Sequence, residues 1–77
     1  MEEYEAGRYE GQKHNGMRNG FGKFYYKEGS VYEGHWRDNL MDGKGNLYYS
    51  NGKLAYEGDW RMDEFHGFGK VYNEDQY

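Results

Sequence analysis

Tyr32-Glu33-Gly34-His35-Trp36-Arg37-Asp38-Asn39-Leu40-Met41-Asp42-Gly43-Lys44-Gly45-Asn46-Leu47-Tyr48-Tyr49-Ser50-Asn51-Gly52 is one copy of a pattern that fills the chain. Its opening triplet returns upstream as Tyr9-Glu10-Gly11 and downstream as Tyr56-Glu57-Gly58, at periods of 23 and 24. Eleven residues after each Tyr stands a Gly-X-Gly: Gly20-Phe21-Gly22, Gly43-Lys44-Gly45 and Gly67-Phe68-Gly69. Four residues after it come Lys13, Trp36 and Trp60; sixteen after it, Tyr25, Tyr48 and Tyr72; twenty after it, Gly29, Gly52 and Gln76. Self-similarity at such a period marks a repeat architecture, in which each unit is one supersecondary element.

Each unit reads as two short strands. In Tyr-Glu-Gly-X-Trp the Tyr, Gly and Trp alternate with polar residues, so they share one face of a strand. A polar loop of about five residues, Asp38 to Asp42 in the second unit, is expected next. The Gly-X-Gly strand follows, with Phe24, Leu47 or Val71 on the same face as its glycines. A Lys-Glu-Gly or Ser-Asn-Gly turn closes the unit, glycine supplying a positive φ. The expected fold is all-β, a single-layer antiparallel meander of tandem hairpins, elongated and twisted. Glycine inside a strand leaves a hole on the pleated face, and a ring from the next strand covers it. Three glycines per unit, at the offsets of the rings, are expected to give each Tyr and Trp a slot.

Composition agrees. The 77 residues allow one small domain, with 13 glycines, no proline and 21% aromatics. No cysteine is present, which removes a disulfide framework and fits a reducing cytoplasm. The start, Met1-Glu2-Glu3-Tyr4, has neither the basic lead nor the apolar run of a signal peptide. The net charge is −4, carried by residues 56–77 with six acids and two bases. That balance offers no basic field for nucleic acid.

The array is expected to divide into residues 1–8, the end of a preceding partial repeat, then repeats at 9–31, 32–55 and 56–77, the last truncated. Tyr4 and Gly7 match Tyr26 and Gly29 in this reading. The single-residue difference in period is expected in the connector, Ser30-Val31 against Lys53-Leu54-Ala55, where a surface turn tolerates it. The ends fit either a piece of a longer array or degenerate caps.

The string from Tyr32 to Gly52, and Tyr56-Glu57-Gly58-Asp59-Trp60-Arg61 with Phe65-His66-Gly67-Phe68-Gly69, closely resemble MORN repeats. The resemblance runs from about Tyr4 onward. Lys13 departs from it where the Trp belongs, and the third repeat lacks the last Gly. It implies a single-layer antiparallel sheet with a groove and a non-catalytic scaffold role. Such proteins occur in axonemes, cytoskeletal assemblies and membrane contact sites, and as accessory segments of phosphoinositide kinases. On that basis a cytoplasmic location with the cytoskeleton or a cilium is expected.

Chemistry-bearing constellations are absent. A nucleotide fingerprint needs a third glycine opening a helix, so the Gly-X-Gly pairs read as packing. His14, His35 and His66 sit at unrelated offsets and form no metal set. Glu10, Glu33 and Glu57 form a ladder facing Lys23 and Lys70, which reads as cross-strand pairing rather than acid catalysis. Ser30 and Ser50, in turns, have no base beside them. No catalytic residue, cofactor or metal is expected.

Tyr9, Gly11, Gly20, Gly22, Tyr32, Gly34, Trp36, Gly43, Gly45, Tyr56, Gly58, Trp60, Gly67 and Gly69 are therefore read as the structural positions of the repeat. Phe21, Tyr25, Tyr48, Phe68 and Tyr72 fall on the opposite face and are the expected partner-binding row. The alternative is that this row lines the inside of the sheet's curve and meets no ligand. A protein partner, lying in the groove or adding a strand at an edge, leads over an anionic membrane bound by Lys13, Arg18, Lys23 and Lys27. The isolated chain is expected to be a monomer at neutral pH. Acidic C-terminal edges, Glu74 and Asp75, would oppose edge-to-edge association until acid or salt relieves it.

Overall fold

The computed structural model describes residues 2–74. Met1 and residues 75–77 lie outside it, and with them the expected Asp75 charge and Gln76 position. Seven strands follow in chain order: β1 (Glu2–Tyr4), β2 (Gly7–His14), β3 (Met17–Tyr26), β4 (Val31–Arg37), β5 (Leu40–Tyr48), β6 (Leu54–Arg61) and β7 (Glu64–Val71). Each pairs antiparallel with its successor in one open sheet. The expected single-layer meander is the fold, spanning 40 × 27 × 15 Å.

The register explains the motif. Gly11, Gly22, Gly34, Gly45, Gly58 and Gly69 stand opposite one another in a line that crosses β2 to β7. Beside it runs a second line, Tyr9, Phe24, Tyr32, Leu47, Tyr56 and Val71. Each motif tyrosine lies down over a glycine pair. A Cβ on Gly22, Gly45 or Gly69 would come within 2.2, 2.1 or 2.2 Å of the phenol oxygen of Tyr9, Tyr32 or Tyr56. The three phenols then donate to backbone carbonyls three residues on, at Gln12 (2.6 Å), His35 (3.0 Å) and Asp59 (2.8 Å). A ring buried in this way removes apolar area from water, contributing roughly 3 kcal/mol, without a second layer.

Four expectations are corrected. Gly20, Gly43 and Gly67 hold no ring. Their φ values are +92, +103 and +61, and a Cβ there would meet Gln12, His35 or Asp59 on the other face. Their positive φ favours glycine there; the ring slots of the motif tyrosines are made by the Gly11 and Gly22 type of position.

The five-residue loop is instead a two-residue turn. Asp38 and Asn39 both have positive φ (48° and 72°), as do Asn15-Gly16 (53°, 78°) and Met62-Asp63 (52°, 70°). Paired positive φ gives the turn whose twist matches the flanking strands. Leu40 and Met41 thereby join β5, opposite Arg37 and Trp36.

The extra residue of the second period falls within the expected Lys53-Leu54-Ala55 stretch, but in a strand and not in a surface turn. Tyr26 N–H donates to Ser30 O (2.9 Å) and Gly29 N–H to Tyr26 O (3.0 Å); Tyr49, Lys53 and Gly52 repeat both bonds (2.8 and 2.9 Å). The additional residue is taken up inside β6, where Tyr48 pairs with Leu54 but Leu47 with Tyr56. Ala55 forms the bulge and is buried, its methyl small enough to fit.

Gly7, finally, is not a turn glycine like Gly29. The β1–β2 turn is Glu5-Ala6, while Gly7 sits inside β2 between Tyr4 and Tyr26, where a Cβ would lie 2.1 Å from the Tyr25 carbonyl oxygen.

Candidate interaction surfaces

The core is a column of rings on one face. Trp36 meets Tyr9 and Tyr32 edge to face (centroids 5.5 and 5.2 Å), and Trp60 meets Tyr32 and Tyr56 (5.1 and 5.2 Å). Such pairs add about 0.5–1.5 kcal/mol each beyond burial. Each indole also reaches back one repeat. Trp36 Nε1 donates to Gly22 O (3.2 Å) and Trp60 Nε1 to Gly45 O (3.1 Å). The tryptophan is thus the clasp between successive repeats.

A second clasp comes from the turns. Asn39 Oδ1 accepts from Arg18 N–H (2.9 Å) while Asn39 N–H donates to Arg18 O (3.0 Å). Asp63 does the same to Met41, at 2.7 and 3.0 Å.

The two outer parts of the described sheet differ. Lys13, in the tryptophan position of repeat one, pairs with Glu2 of β1. Arg18 enters the ring cluster, its guanidinium 4.6 Å from the centre of Tyr4 and 4.7 Å from that of Trp36. Its Nη2 donates to Asn39 O (2.8 Å), while its buried Nε has no partner. At the other end Phe65 stacks flat on Tyr56 (4.0 Å, 13°).

Burial raises the phenol pKa of Tyr32 well above its usual value, helped by Tyr26, Asp42 and Asp63. Tyr26 is raised by burial and then by Asp63. Both phenols stay protonated, as donors.

An open apolar groove of about 600 Å³ lies on this ring face. Tyr26, Met41, Leu47, Trp60 and Phe65 line it, and Glu28, Asp63 and Glu64 edge it with negative charge. No single motif announced it: Met41 and Phe65 share one offset, nine residues after the motif tyrosine, but Arg18 takes that place in repeat one, and Tyr26 and Leu47 come from other offsets.

The structure places the expected partner-binding residues as follows. Tyr25 and Tyr48 line one groove of about 410 Å³ on the second face, with Lys23, Val31 and Glu33. Tyr25 and Tyr72 each donate a long hydrogen bond to a ladder carboxylate, Glu10 or Glu57 (3.4 Å). Phe21 packs on His35 (5.6 Å), and Phe68 is 89% exposed. Between the two phenylalanines stands Lys44, paired with Asp59 at 2.6 Å, so this row of rings is broken. The Glu ladder lies in register with Lys23, Asn46 and Lys70, and Lys23 approaches Glu33 at 3.9 Å.

Three of the four bases of repeat one are already engaged. Lys13 and Lys23 face carboxylates and Arg18 lies among the rings. Among the described residues no helix is long and apolar enough to cross a membrane.

β7 is the C-terminal edge of the described sheet, and every residue in it is exposed. Phe65 is 55% and Val71 72% exposed, although Val71 continues the line of Tyr9 and Phe24.

No curated protein matches the chain significantly. The family model of the MORN repeat matches three times, at residues 9–31, 32–53 and 56–75. These matches cover most of the sequence and fall on the hairpins that carry the glycine line and the ring column. The chain belongs to the MORN repeat family.

Proposed function

We propose that this array is a non-catalytic protein-binding module, a rigid sheet that holds an extended segment of a partner. The observation that carries this reading is the open groove beside Trp60, apolar at its floor and acidic at its rim. Exposed apolar surface ringed by charge marks an interaction site on a small protein. The rim acids favour a segment with apolar side chains flanked by Lys or Arg. The Tyr25–Tyr48 groove on the second face is the competing surface. Family membership supports an interaction role, and within it we place the protein with a cytoskeletal or ciliary assembly.

Two double variants separate the surfaces in an affinity capture from cytoskeletal extract. Met41→Ser with Phe65→Ser should abolish capture; Tyr48→Ala with Tyr72→Ala should leave it. The reverse result moves the site to the second face, and capture surviving both variants removes the two surfaces. Circular dichroism of each variant controls for folding. A tagged protein spread evenly through the cytosol would sink the cytoskeletal placement. The lipid reading, on the remaining charge of repeat one, predicts sedimentation with anionic vesicles at low salt that fades at physiological salt.

A further inference from the structure

The outer edge of β7 repeats an acceptor that the molecule already fills twice. On β3, residues Gly20–Tyr25 receive β4: Gly20 faces Trp36, Gly22 faces Gly34, Lys23 faces Glu33 and Phe24 faces Tyr32. On β5, Gly43, Gly45, Asn46 and Leu47 receive Trp60, Gly58, Glu57 and Tyr56 of β6 in the same order. The corresponding residues on β7 are Gly67, Gly69, Lys70 and Val71, and among the described residues nothing receives them.

We infer that this edge accepts, in trans, an antiparallel strand of Tyr-Glu-Gly-X-Trp chemistry from a partner chain. The inference deepens the protein-binding reading and rests on it. Four features set the occupant. Gly69 offers the place for a facing glycine, as Gly22 and Gly45 do. The Gly69 carbonyl is the counterpart of those that accept from Trp36 and Trp60. Lys70 is the counterpart of Lys23, which meets Glu33 at 3.9 Å, and it has no carboxylate within ion-pair distance among the described residues. A glutamate on the incoming strand complements it. On the outer side Tyr56 meets the half-exposed Phe65, stacked flat at 4.0 Å, whereas Tyr9 and Tyr32 there meet Trp36 and Trp60 edge to face. Phe65 is a placeholder that swings aside.

A second copy of this chain fits the edge less well. Two β7 strands paired about a two-fold within 67–72 would set Gly69 against Lys70 and leave no carboxylate opposite the lysine. The tyrosine of β2, Tyr9, is already covered by β1 through Glu2.

The test uses the ¹⁵N-labelled protein and a capped peptide copying residues 32–39, whose asparagine can also clasp the Phe65 backbone as Asn39 clasps Arg18. Saturable amide shifts and slowed exchange are expected at Gly67–Tyr72, with the Phe65 ring signals moving. Peptide carrying Trp36→Ala should bind at least about tenfold more weakly. Peptide carrying Glu33→Lys should lose about threefold and recover it against Lys70→Glu protein. Shifts centred on β1 or on the Tyr25–Tyr48 groove, equal binding of a scrambled peptide, or no shift up to about 1 mM would overturn the inference. So would concentration-dependent shifts at β7 without peptide, which would assign the edge to a second copy. Lys70→Glu should not impair capture through the Met41–Phe65 groove, so a failed peptide with intact capture removes this proposal alone.

Discussion

The two ends of the sheet carry the same repeat and finish it by opposite means. At the N-terminal end, β1 covers the start of β2, Lys13 pairs with Glu2, and Arg18 lies over Tyr4 and Trp36. At the C-terminal end, every residue of β7 is exposed and Phe65 stacks flat on Tyr56. In a solenoid each repeat covers the face of the one before it, so the outer strands of the described sheet show how that face is treated without such cover. The first end covers it with charge and a short strand, and the second leaves apolar surface open. The exposed apolar side chains Phe65, Phe68 and Val71 lie on that last strand.

The middle of the array is the reference against which both ends are judged, and it should be the least forgiving. Gly45 faces Gly34 and Gly58 and lies under Tyr32, which is fully buried. Gly45→Ala places a methyl about where the Tyr32 phenol oxygen stands, 2.1 Å away, with no end through which the ring could leave. A loss of roughly 3 kcal/mol or more is expected by denaturant unfolding, at the top of the range for overpacking. Gly52→Ala is the contrast: nothing lies within 4 Å, and only the backbone φ of +88° opposes it. That costs about 1–2 kcal/mol. Equal losses would mean that ring packing over glycine is not what holds the sheet.

The next test compares the rings themselves. Trp36→Ala removes an indole packed between Tyr9 and Tyr32 and bonded to Gly22 O, and should cost about 3–5 kcal/mol. Phe65→Ala removes a half-exposed ring at the edge and should cost about 1 kcal/mol. If Phe65 costs as much as Trp36, it is a structural cap, and the β7 edge is closed.

These contrasts show what could be read from the chain and what could not. The Gly11 and Gly22 positions, the hairpin order and the ring face followed from alternation, because strand geometry alternates at every residue. The Asn15-Gly16 turn is similarly legible, since that pair favours two positive φ values. Met62-Asp63 adopts the same turn with no such signal, because the register of β6 and β7 imposes it. The second Gly-X-Gly glycine declared its role; the first did not, since a positive φ and a ring slot leave the same letter. The Ala55 bulge was hidden because one inserted residue reads alike in a turn or a strand. Arg18 was counted as a surface base, for nothing local tells a lysine-like charge from one laid across four rings. The groove was missed for a related reason: its lining is assembled across strands. The partner-binding row, Phe21, Tyr25, Tyr48, Phe68 and Tyr72, was read from alternation, which places residues on a face without saying which of them share a hollow; Tyr25 and Tyr48 do.

Arg18 sharpens the N-terminal half of the comparison. Met41 occupies the matching position in repeat two, so Arg18→Met asks what the charge adds. The substitution loses the cation–π contacts and the bond to Asn39 O but relieves the buried, unpartnered Nε. A net loss of about 1 kcal/mol is expected. It should register as faster amide exchange in β1 and β2, with β6 and β7 unchanged. A stabilised variant would show that the buried nitrogen outweighs the rings, and that the charged cap serves something other than stability.

The smallest effect expected is in the response to acid, where the two ends differ in kind. Glu2 and Asp59 both have carboxyl pKa values held below the ordinary 4.5 and 3.8, first by hydrogen bonds from Lys13 and Lys44. A carboxylate depressed by folding stabilises fully above its unfolded pKa, and the contribution fades as pH falls through the folded value. Both pairs are exposed and screened, so neither should shift the global midpoint by much. The local consequence is unequal. Asp59 lies in β6, which is paired along both sides, and its loss has nowhere to spread. Glu2 belongs to a three-residue strand whose ion pair reaches across to Lys13. As pH drops below about 4.5, β1 should therefore release before any other strand, freeing the edge of β2 at Gly7–Tyr9. Amide exchange across that range should show protection falling at Arg8 and Tyr9 while Gly58 and Trp60 hold. Glu2→Gln should bring the same release to neutral pH. Uniform loss of protection along the sheet would mean that the Tyr4 ring and the Arg18 guanidinium over it, rather than the Glu2 charge, keep β1 in place.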